Sequence, residues 1–353
     1  MNDKIDDHIL FWNNERGKKV LVSYRLGNNF FATHYKAAKP LLVQGKRIVP
    51  EMLDVDAFME DYERQYEEIT RLGQSALWTA EAYPAIPWME AFFGCDIIAQ
   101  EESFTAMPFI KDTSELDKLK FDMENPWVKK FFEFTIKLNK LSNERFPVGA
   151  PILRGQGDTM GALLGQAEFI YAMYEEEELV RRSLDKITTS FLQIYSELHK
   201  QVTVKNKALG FYHIYTPTEG LWFQDDIGAL LSPEFYRNFI LPNEKIICSE
   251  YEYNLVHLHP SAFHLLNDIL SNDELKAVQI NKDLAGPSIK EMLPQMEKVF
   301  LSGRPLVIWG DLSIEDIRLC YSSFDELSPG LFFNIVKNNF KSAKEFNLQL
   351  ESI

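Results

Sequence analysis

Hydrophobic and polar positions along the chain alternate between two periods. Short runs rich in β-branched and aromatic residues are separated by longer stretches with helical spacing. The predicted strands cover residues 19–24, 76–80, 148–153, 211–216, 255–259, 277–282, 306–309 and 331–334. Helix starts lie between them at Ser232, Ser288 and Ser313, each a capping residue ahead of an acidic first turn. Eight strands alternating with helices predict an α/β protein, a (β/α)8 TIM barrel.

The pattern predicts one domain over residues 1–353. Gly and Pro are scattered between elements, and no repeat or Gly/Ser linker divides the chain. Residues 1–70 are expected to form an irregular N-terminal extension and the first β/α unit, with a cap over one barrel end. An open doubly wound sheet is less favoured, because Arg154-Gly155-Gln156-Gly157 has only part of a Gly-x-Gly-x-x-Gly motif.

Composition narrows the class of partner. The formal charge of −15 works against binding to nucleic acid or anionic lipid. The three cysteines are widely separated and odd in number, which indicates a reducing cytoplasm and no disulfide framework. The start of the chain is too acidic for a signal peptide, and no apolar stretch has the length of a membrane span.

The most informative motif is His257-Leu258-His259, followed by Pro260. Strand alternation sends both imidazoles to one face, and Pro260 ends the strand just beyond them. On a barrel strand, that position is the carboxyl-terminal rim where such folds carry out chemistry. The alternative, two core histidines with satisfied hydrogen bonds, stays open from the motif alone.

Carboxylates follow neighbouring predicted strands. Asp283 shares a strand face with Gln279 and Asn281 and is expected to emerge beside the histidines. Asp225 and Asp226 lie in a loop among apolar residues, where burial raises the pKa of a carboxyl group and suits it to acid–base work. Asp311 is better explained as a residue that prepares the helix start near Ser313.

Several motifs together resemble the uroporphyrinogen decarboxylase superfamily, which includes methyltransferases that use corrinoid proteins or coenzyme M. They are Gly149-Ala150-Pro151, the segment from Asp225-Asp226-Ile227-Gly228 to Leu241-Pro242, and His257-Leu258-His259 followed by Asp283. The resemblance extends from about residue 76 onward. It implies a (β/α)8 barrel with its active site at the carboxyl-terminal mouth.

Differences from the family pattern separate its branches. The decarboxylases hold acidic tetrapyrroles with an arginine-rich stretch, of which only Arg25 remains in this chain. They also have a histidine near the last strand, whereas no histidine follows His264 here. In the methyltransferase branch a His-x-Cys and a distant Cys hold zinc. Here His257 matches the first ligand and His259 replaces the cysteine, while Cys320 and Asn334 are poor matches for the third.

The resemblance thus implies a zinc site of His257 and His259 completed by a carboxylate, Glu219 or Asp283. Without metal, either histidine would act as general acid or base with Asp226 or Asp283. Arg154, Arg25, Glu81 and Asp225 are the candidates for substrate binding. A guanidinium fork at Arg154, just past a strand, suits an anionic substrate.

The favoured function is an enzyme that transfers a one-carbon methyl group, linked to a thiol or to a corrinoid carried by a partner protein. The alternatives are a decarboxylase of a porphyrinogen-like or other acidic substrate, and a non-catalytic barrel that binds a small ligand. The sequence leaves the substrate and the existence of a homodimer open.

Overall fold

A computed structural model describes residues 2–17, 19–202, 207–327 and 329–350. The strands are β1 Leu21–Leu26, β2 Arg47–Ile48, β3 Ala80–Glu81, β4 Asp96–Ala99, β5 Phe104–Met107, β6 Val148–Gly149, β7 Ala208–Leu209, β8 Ile214–Tyr215, β9 Gly220–Phe223, β10 Tyr253–Leu258, β11 Ala277–Lys282, β12 Leu306–Gly310 and β13 Leu331–Lys337. The α-helices are α1 Asn2–Trp12, α2 Val55–Leu72, α3 Trp88–Phe92, α4 Pro126–Ser142, α5 Gln156–Leu164, α6 Gln166–Glu175, α7 Glu177–Gln201, α8 Pro233–Phe235, α9 Leu241–Glu250, α10 Leu266–Leu270, α11 Ile289–Leu301, α12 Ile314–Ser323 and α13 Phe340–Leu350.

Six strands form one parallel sheet in the order β1-β13-β12-β11-β10-β9. β3 and β6 form a separate parallel pair. A few contacts join the two groups. The Ala76 N–H donates to the Val22 carbonyl, and an isolated β-bridge pairs Arg154, after β6, with Gln224, after β9. This is a partial (β/α) barrel. Closure into eight continuous strands goes beyond these ladders and stays a prediction.

Of the strand predicted at 211–216, the structure has only the two residues of β8, and they lie outside the parallel sheet. The chain there makes a 3-10 turn over Gly210–Tyr212, and β7 and β8 pair as a short antiparallel hairpin. The place in the parallel sheet goes instead to β9, in a stretch that the sequence predicted as loop. Gly220 allows this, because a Cβ at that position would lie 2.7 Å from the Tyr253 carbonyl oxygen.

Helix starts follow the sequence closely. Ser288 with Glu291 and Ser313 with Asp316 form the expected capping boxes, and the Ser232 hydroxyl caps α8. A π-helical turn, Tyr236–Ile240, then joins α8 to α9. Pro242 has no N–H for the Asn238 carbonyl four residues earlier, and Arg181 donates to that oxygen instead.

The first connection of the chain is irregular. After β1 it runs through short turns at Phe31–His34, Lys36–Ala38 and Pro50–Met52. β2 in this connection pairs antiparallel with β4, which pairs with β5. No helix among the described residues combines the length and apolarity needed to cross a bilayer.

Arg25 and Glu81 form an interior ion pair that joins β1 to β3. Arg25 Nη2 lies 2.9 Å from Glu81 Oε1, and both side chains are buried. Arg25 also donates to the Phe211 carbonyl, and its guanidinium carbon lies 4.2 Å from the centre of the Phe211 ring. The prediction that Arg25 and Glu81 bind substrate is therefore corrected, because the two charges pair with each other inside the protein.

Removal of one partner of this pair should be strongly destabilising. Arg25→Met leaves the buried Glu81 carboxylate without its cation. We therefore expect a loss of about 3–5 kcal/mol in the free energy of unfolding, measured with urea. Arg25→Met combined with Glu81→Leu should recover part of that loss. The exposed pair Arg182–Glu178 is the control. Arg182→Ala should cost less than about 1 kcal/mol, and an equal cost for both single variants would contradict this assignment.

Glu244 on α9 should make stability depend on pH. Burial raises the pKa of its carboxyl to about 7, so the folded protein holds a proton that the unfolded chain releases. Stability should therefore fall as pH rises from about 4.5 to 7. Relative to Glu244→Gln, we expect the wild type to lose about 2–3 kcal/mol between pH 4 and 8 in denaturant titrations. Glu250 is exposed on the same helix, so the stability of Glu250→Gln should depend on pH as that of the wild type does. Parallel curves for wild type and Glu244→Gln would refute the role of Glu244.

Candidate metal centre

A cavity of about 420 Å³ lies at the carboxyl ends of β9, β10, β11 and β12. Aromatic side chains form much of its wall: Phe30, Phe31, Phe104, Phe211, Tyr212 and Trp309. Its polar residues come from the ends of the parallel strands and from the loops after them. This is the position at which α/β folds with parallel strands bind their ligands.

His257 and His259 both line this cavity, as strand alternation predicts. His257 is 8 % exposed on β10, and His259 follows the strand with extended backbone. The two ring centres are 4.6 Å apart, and the ring planes are nearly perpendicular. The histidines are therefore members of one polar cluster and are not isolated core residues.

Hydrogen bonds fix the orientation and tautomer of both rings. His259 Nδ1 lies 2.7 Å from Asp283 Oδ1. His257 Nδ1 contacts both Gln279 Oε1 and, at 2.9 Å, the Tyr212 hydroxyl, which donates its hydrogen to Gln279 Oε1. The Asp283 carboxylate and the Gln279 amide oxygen only accept, and the Tyr212 hydrogen goes to Gln279, so a neutral ring at either position carries its proton on Nδ1. Burial lowers the pKa of His257 and favours its neutral form. In this tautomer a neutral ring presents an unprotonated Nε2 atom to the cavity.

Asp226 meets these two nitrogens from the loop after β9. Its Oδ1 lies 3.7 Å from His257 Nε2 and 3.8 Å from His259 Nε2. One ligand atom from each of the three residues lies within 4.8 Å of the others. Ligands bound to zinc at about 2.0–2.2 Å in a tetrahedron lie roughly 3.3–3.6 Å from each other. The Asp226 distances are slightly longer than these, and the three residues could hold a metal ion with two nitrogen ligands and one oxygen ligand.

A second layer of polar groups supports these three residues. Asn281 Nδ2 donates to Asp283 Oδ1 at 2.9 Å, and Gln224 Nε2 donates to Asp226 Oδ2 at 2.9 Å. The Tyr212 hydroxyl donates to Gln279 Oε1 at 3.0 Å. Partners of this kind hold metal-binding imidazoles and carboxylates in place in known metal sites.

Glu219 does not reach the histidines, which corrects its assignment as a metal ligand. It precedes Gly220 at the amino end of β9, and its carboxylate pairs with Lys207 at 3.2 Å. Asp226, after the carboxyl end of the same strand, lies in the position expected of the third ligand. The other carboxylate considered, Asp283, contacts the opposite nitrogen of His259.

Arg154 lines the cavity, and its role in substrate binding stays a prediction. Its Nη1 donates to Glu90 Oε1 at 2.8 Å, and Glu90 is fully buried. The Arg154 side chain is 41 % exposed. The ion pair therefore anchors one edge of the guanidinium and leaves other N–H groups facing the cavity.

Asp225 has a structural role, which corrects its assignment to substrate binding. Its Oδ1 accepts from the Asp158 N–H at 2.8 Å, while Asp158 Oδ1 accepts from the Ile227 N–H at 2.7 Å. A Cβ at Gly155 or Gly157 would lie within 3 Å of the Asp225 carboxylate. The glycines thus make room for a reciprocal cap that fixes the loop of Asp226 to the start of α5.

Sequence reasoning missed Tyr212, Gln224, Gln279 and Asn281 as site residues. The last two share the strand face of Asp283, so their alternation was an available signal. Tyr212 lies in the turn that was predicted as strand, and nothing in the local pattern brings it to His257. Gln224 was missed because it follows β9, which was predicted as loop.

Comparison with known proteins supports the fold. No family model and no curated protein matches the chain. A solved methyltransferase from Methanosarcina mazei is similar in structure, with a TM-score of 0.66, and the match covers 98 % of this chain and 97 % of that one. The identity is 12 %. The chain thus has the fold of that methyltransferase, whereas the resemblance to the uroporphyrinogen decarboxylase superfamily stays a prediction.

The hydrogen bonds predict an uncommon tautomer for both histidines. In ¹⁵N-labelled metal-free protein, long-range NMR couplings should show Nδ1–H and unprotonated Nε2 for His257 and His259, since each Nδ1 faces an acceptor. His257→Ala and His259→Ala assign the signals, and Gln279→Ala should remove the preference at His257 alone. Protonation at Nε2 in both rings would contradict the arrangement.

Proposed function

We propose that this protein is an enzyme that binds a divalent metal, zinc in the first instance, through His257, His259 and Asp226, and uses the site to transfer a methyl group. The observation that carries the proposal is the convergence of two Nε2 lone pairs and one carboxylate oxygen at the end of an aromatic cavity. Two histidines and one carboxylate are a familiar catalytic zinc set.

A bound zinc would supply Lewis acidity, which lowers the pKa of a hydroxyl or thiol that it coordinates. The protein residues have distinct tasks around it. Gln279 and Asp283 hold the two imidazoles by their Nδ1 protons, and Gln224 holds Asp226. Arg154 holds an anionic part of the substrate, while the aromatic wall limits the water that competes for the methyl group.

Methyl transfer is supported by the full-length fold similarity to a protein that is named a methyltransferase. We propose a corrinoid on a partner protein, or a thiol, as the second methyl carrier. The same proposal includes a complete eight-stranded barrel. It also includes membership of the uroporphyrinogen decarboxylase superfamily, as a divergent member. In that family the methyltransferases use sulfur ligands, and here a nitrogen and an oxygen replace them.

Decarboxylation of a polycarboxylate is the weaker alternative. Among the described residues that line the cavity, the lysine and arginine side chains are Lys282 and Arg154, whereas a polycarboxylate needs more cations. The Lys282 ammonium donates to the Asp311 carbonyl at 2.9 Å, which directs it away from the centre. A purely ligand-binding barrel would have no need for two oriented imidazoles that face a carboxylate.

Metal binding tests the proposal directly. Purified protein incubated with zinc and desalted should retain one ion per chain by mass spectrometry, and His257→Ala, His259→Ala or Asp226→Ala should abolish retention. Asp283→Ala should weaken affinity about 10–100-fold, because it removes the acceptor for His259. Glu219→Ala and His264→Ala are matched controls that should bind zinc normally. Equal retention in all variants, or none in the wild type, would refute the proposed centre.

A further inference from the structure

We infer that Asp283 is a positioning residue for both histidines. It holds His259 directly, and through a chain of two amide side chains it sets the tautomer of His257 from a distance. The inference rests on the proposed function for its purpose, because a metal ion requires an unprotonated Nε2 atom on His257. The chain itself is a property of the metal-free protein and is tested there.

The chain runs along one face of β11. Gln279 and Asn281 occupy alternate positions of the strand, and Asp283 follows its end. Gln279 Nε2 donates to Asn281 Oδ1 at 3.4 Å, and Asn281 Nδ2 donates to Asp283 Oδ1 at 2.9 Å. At the other end, Gln279 Oε1 contacts His257 Nδ1. Two amides thus lie between the imidazole of His257 and the carboxylate of Asp283.

The carboxylate at the end sets the direction of the chain. An amide has a donating nitrogen and an accepting oxygen, so each amide passes on the polarity of its neighbour. Asp283 only accepts, so Asn281 donates to it and turns its own oxygen toward Gln279. Gln279 then donates to that oxygen, and its own oxygen is left for His257. A neutral His257 consequently carries its proton on Nδ1.

A reversed chain would place this proton on the other nitrogen. With both amides turned over, Gln279 would donate to the Tyr212 hydroxyl oxygen, and the Tyr212 hydrogen would go to His257 Nδ1, which lies 2.9 Å away. The proton of a neutral His257 would then be on Nε2. The acceptor-only group at Asp283 disfavours this state, because it would face an amide oxygen without a hydrogen between them.

Burial makes the direction of the chain a choice between two complete states. Gln279 is fully buried and Asn281 is 8 % exposed, so water is a poor substitute for either amide partner. Reversal of one amide alone would leave buried groups unpaired, which is costly. The two amides therefore turn together or not at all. Asp283 is 31 % exposed at the outer end, so a substitution there changes the chain with little effect on core packing.

The test is the tautomer of His257 in ¹⁵N-labelled metal-free protein, at a pH where both rings are neutral. Asp283→Asn keeps the size of the side chain and adds a donor, so the chain can run in either direction. We expect the Nδ1–H form of His257 to exceed the Nε2–H form about tenfold or more in the wild type, and the two forms to become comparable in Asp283→Asn. An unchanged His257 in this variant would overturn the inference.

A second variant shows whether the effect travels through the amides. Asn281→Leu interrupts the chain and should have the same effect on His257, with Asn281→Ala in its place if the leucine variant does not fold. Asp283→Asn should then cause no further change at His257 in this background. A normal His257 in the interrupted chain, or a further change in the double variant, would contradict transmission through Asn281.

The control is Gln224→Ala, which removes an amide of the same cavity that lies outside the chain and bonds to Asp226. It should leave the tautomer of His257 unchanged. His257 is the readout because Asn281 Nδ2 also lies 3.5 Å from His259 Nδ1, so a change at His259 would not separate a direct contact from the chain.

Zinc binding by the same samples separates this inference from the proposed function. Zinc affinity should fall about tenfold in Asn281→Leu, because half or more of His257 then has a protonated Nε2. If the wild type binds zinc and His257 does not respond to Asp283→Asn, the inference fails and the proposed centre stands. If His257 responds and the wild type binds no zinc, the chain stands and the proposed function fails.

Discussion

Two hydrogen bonds decide what this cavity can do, the ones from His257 Nδ1 to Gln279 and from His259 Nδ1 to Asp283. Because each acceptor takes the Nδ1 proton, both Nε2 lone pairs are left to face Asp226. Without those acceptors, the neutral rings could exchange tautomers or rotate. The distances between the three candidate ligand atoms would then no longer indicate a metal site. The orientation of the lone pairs is thus a property of β11, the strand beside the histidines.

The sheet register brings these groups together. His257 lies opposite Gln279 in the parallel pairing of β10 with β11, and Val256 lies opposite Phe223 at the end of β9. A shift of one residue in either strand would turn the polar side chains to the other face. The reciprocal cap between Asp225 and Asp158 then fixes the loop of Asp226 against α5. The candidate ligand set therefore depends on tertiary pairing in three places.

Local patterns in the sequence were sufficient for part of this picture. Alternation at His257 and His259 gave their common face, and the position of Asp283 after a strand gave its neighbourhood, because period two is a property of a single strand. Capping boxes were equally local. The sequence placed the candidate site at the carboxyl ends of the parallel strands, where the cavity lies, and named Asp226 among its candidates.

The remaining features depend on contacts between distant segments. Glu219 and Asp226 lie at opposite ends of β9, but that strand was not recognised, so the sequence could not tell which carboxylate faces the histidines. Arg25 and Glu81 looked available for substrate because their pairing joins residues 56 positions apart. Asp225 next to Asp226 looked equivalent to it, and only the path of α5 separates a capping carboxylate from one in the cavity.

The most direct test of the central claim is X-ray absorption at the zinc edge of the reconstituted protein. The account predicts nitrogen and oxygen neighbours at about 2.0–2.2 Å, with the multiple scattering of two imidazoles and with no sulfur. A sulfur shell near 2.3 Å, or a spectrum with one imidazole or none, would contradict the assignment of His257, His259 and Asp226.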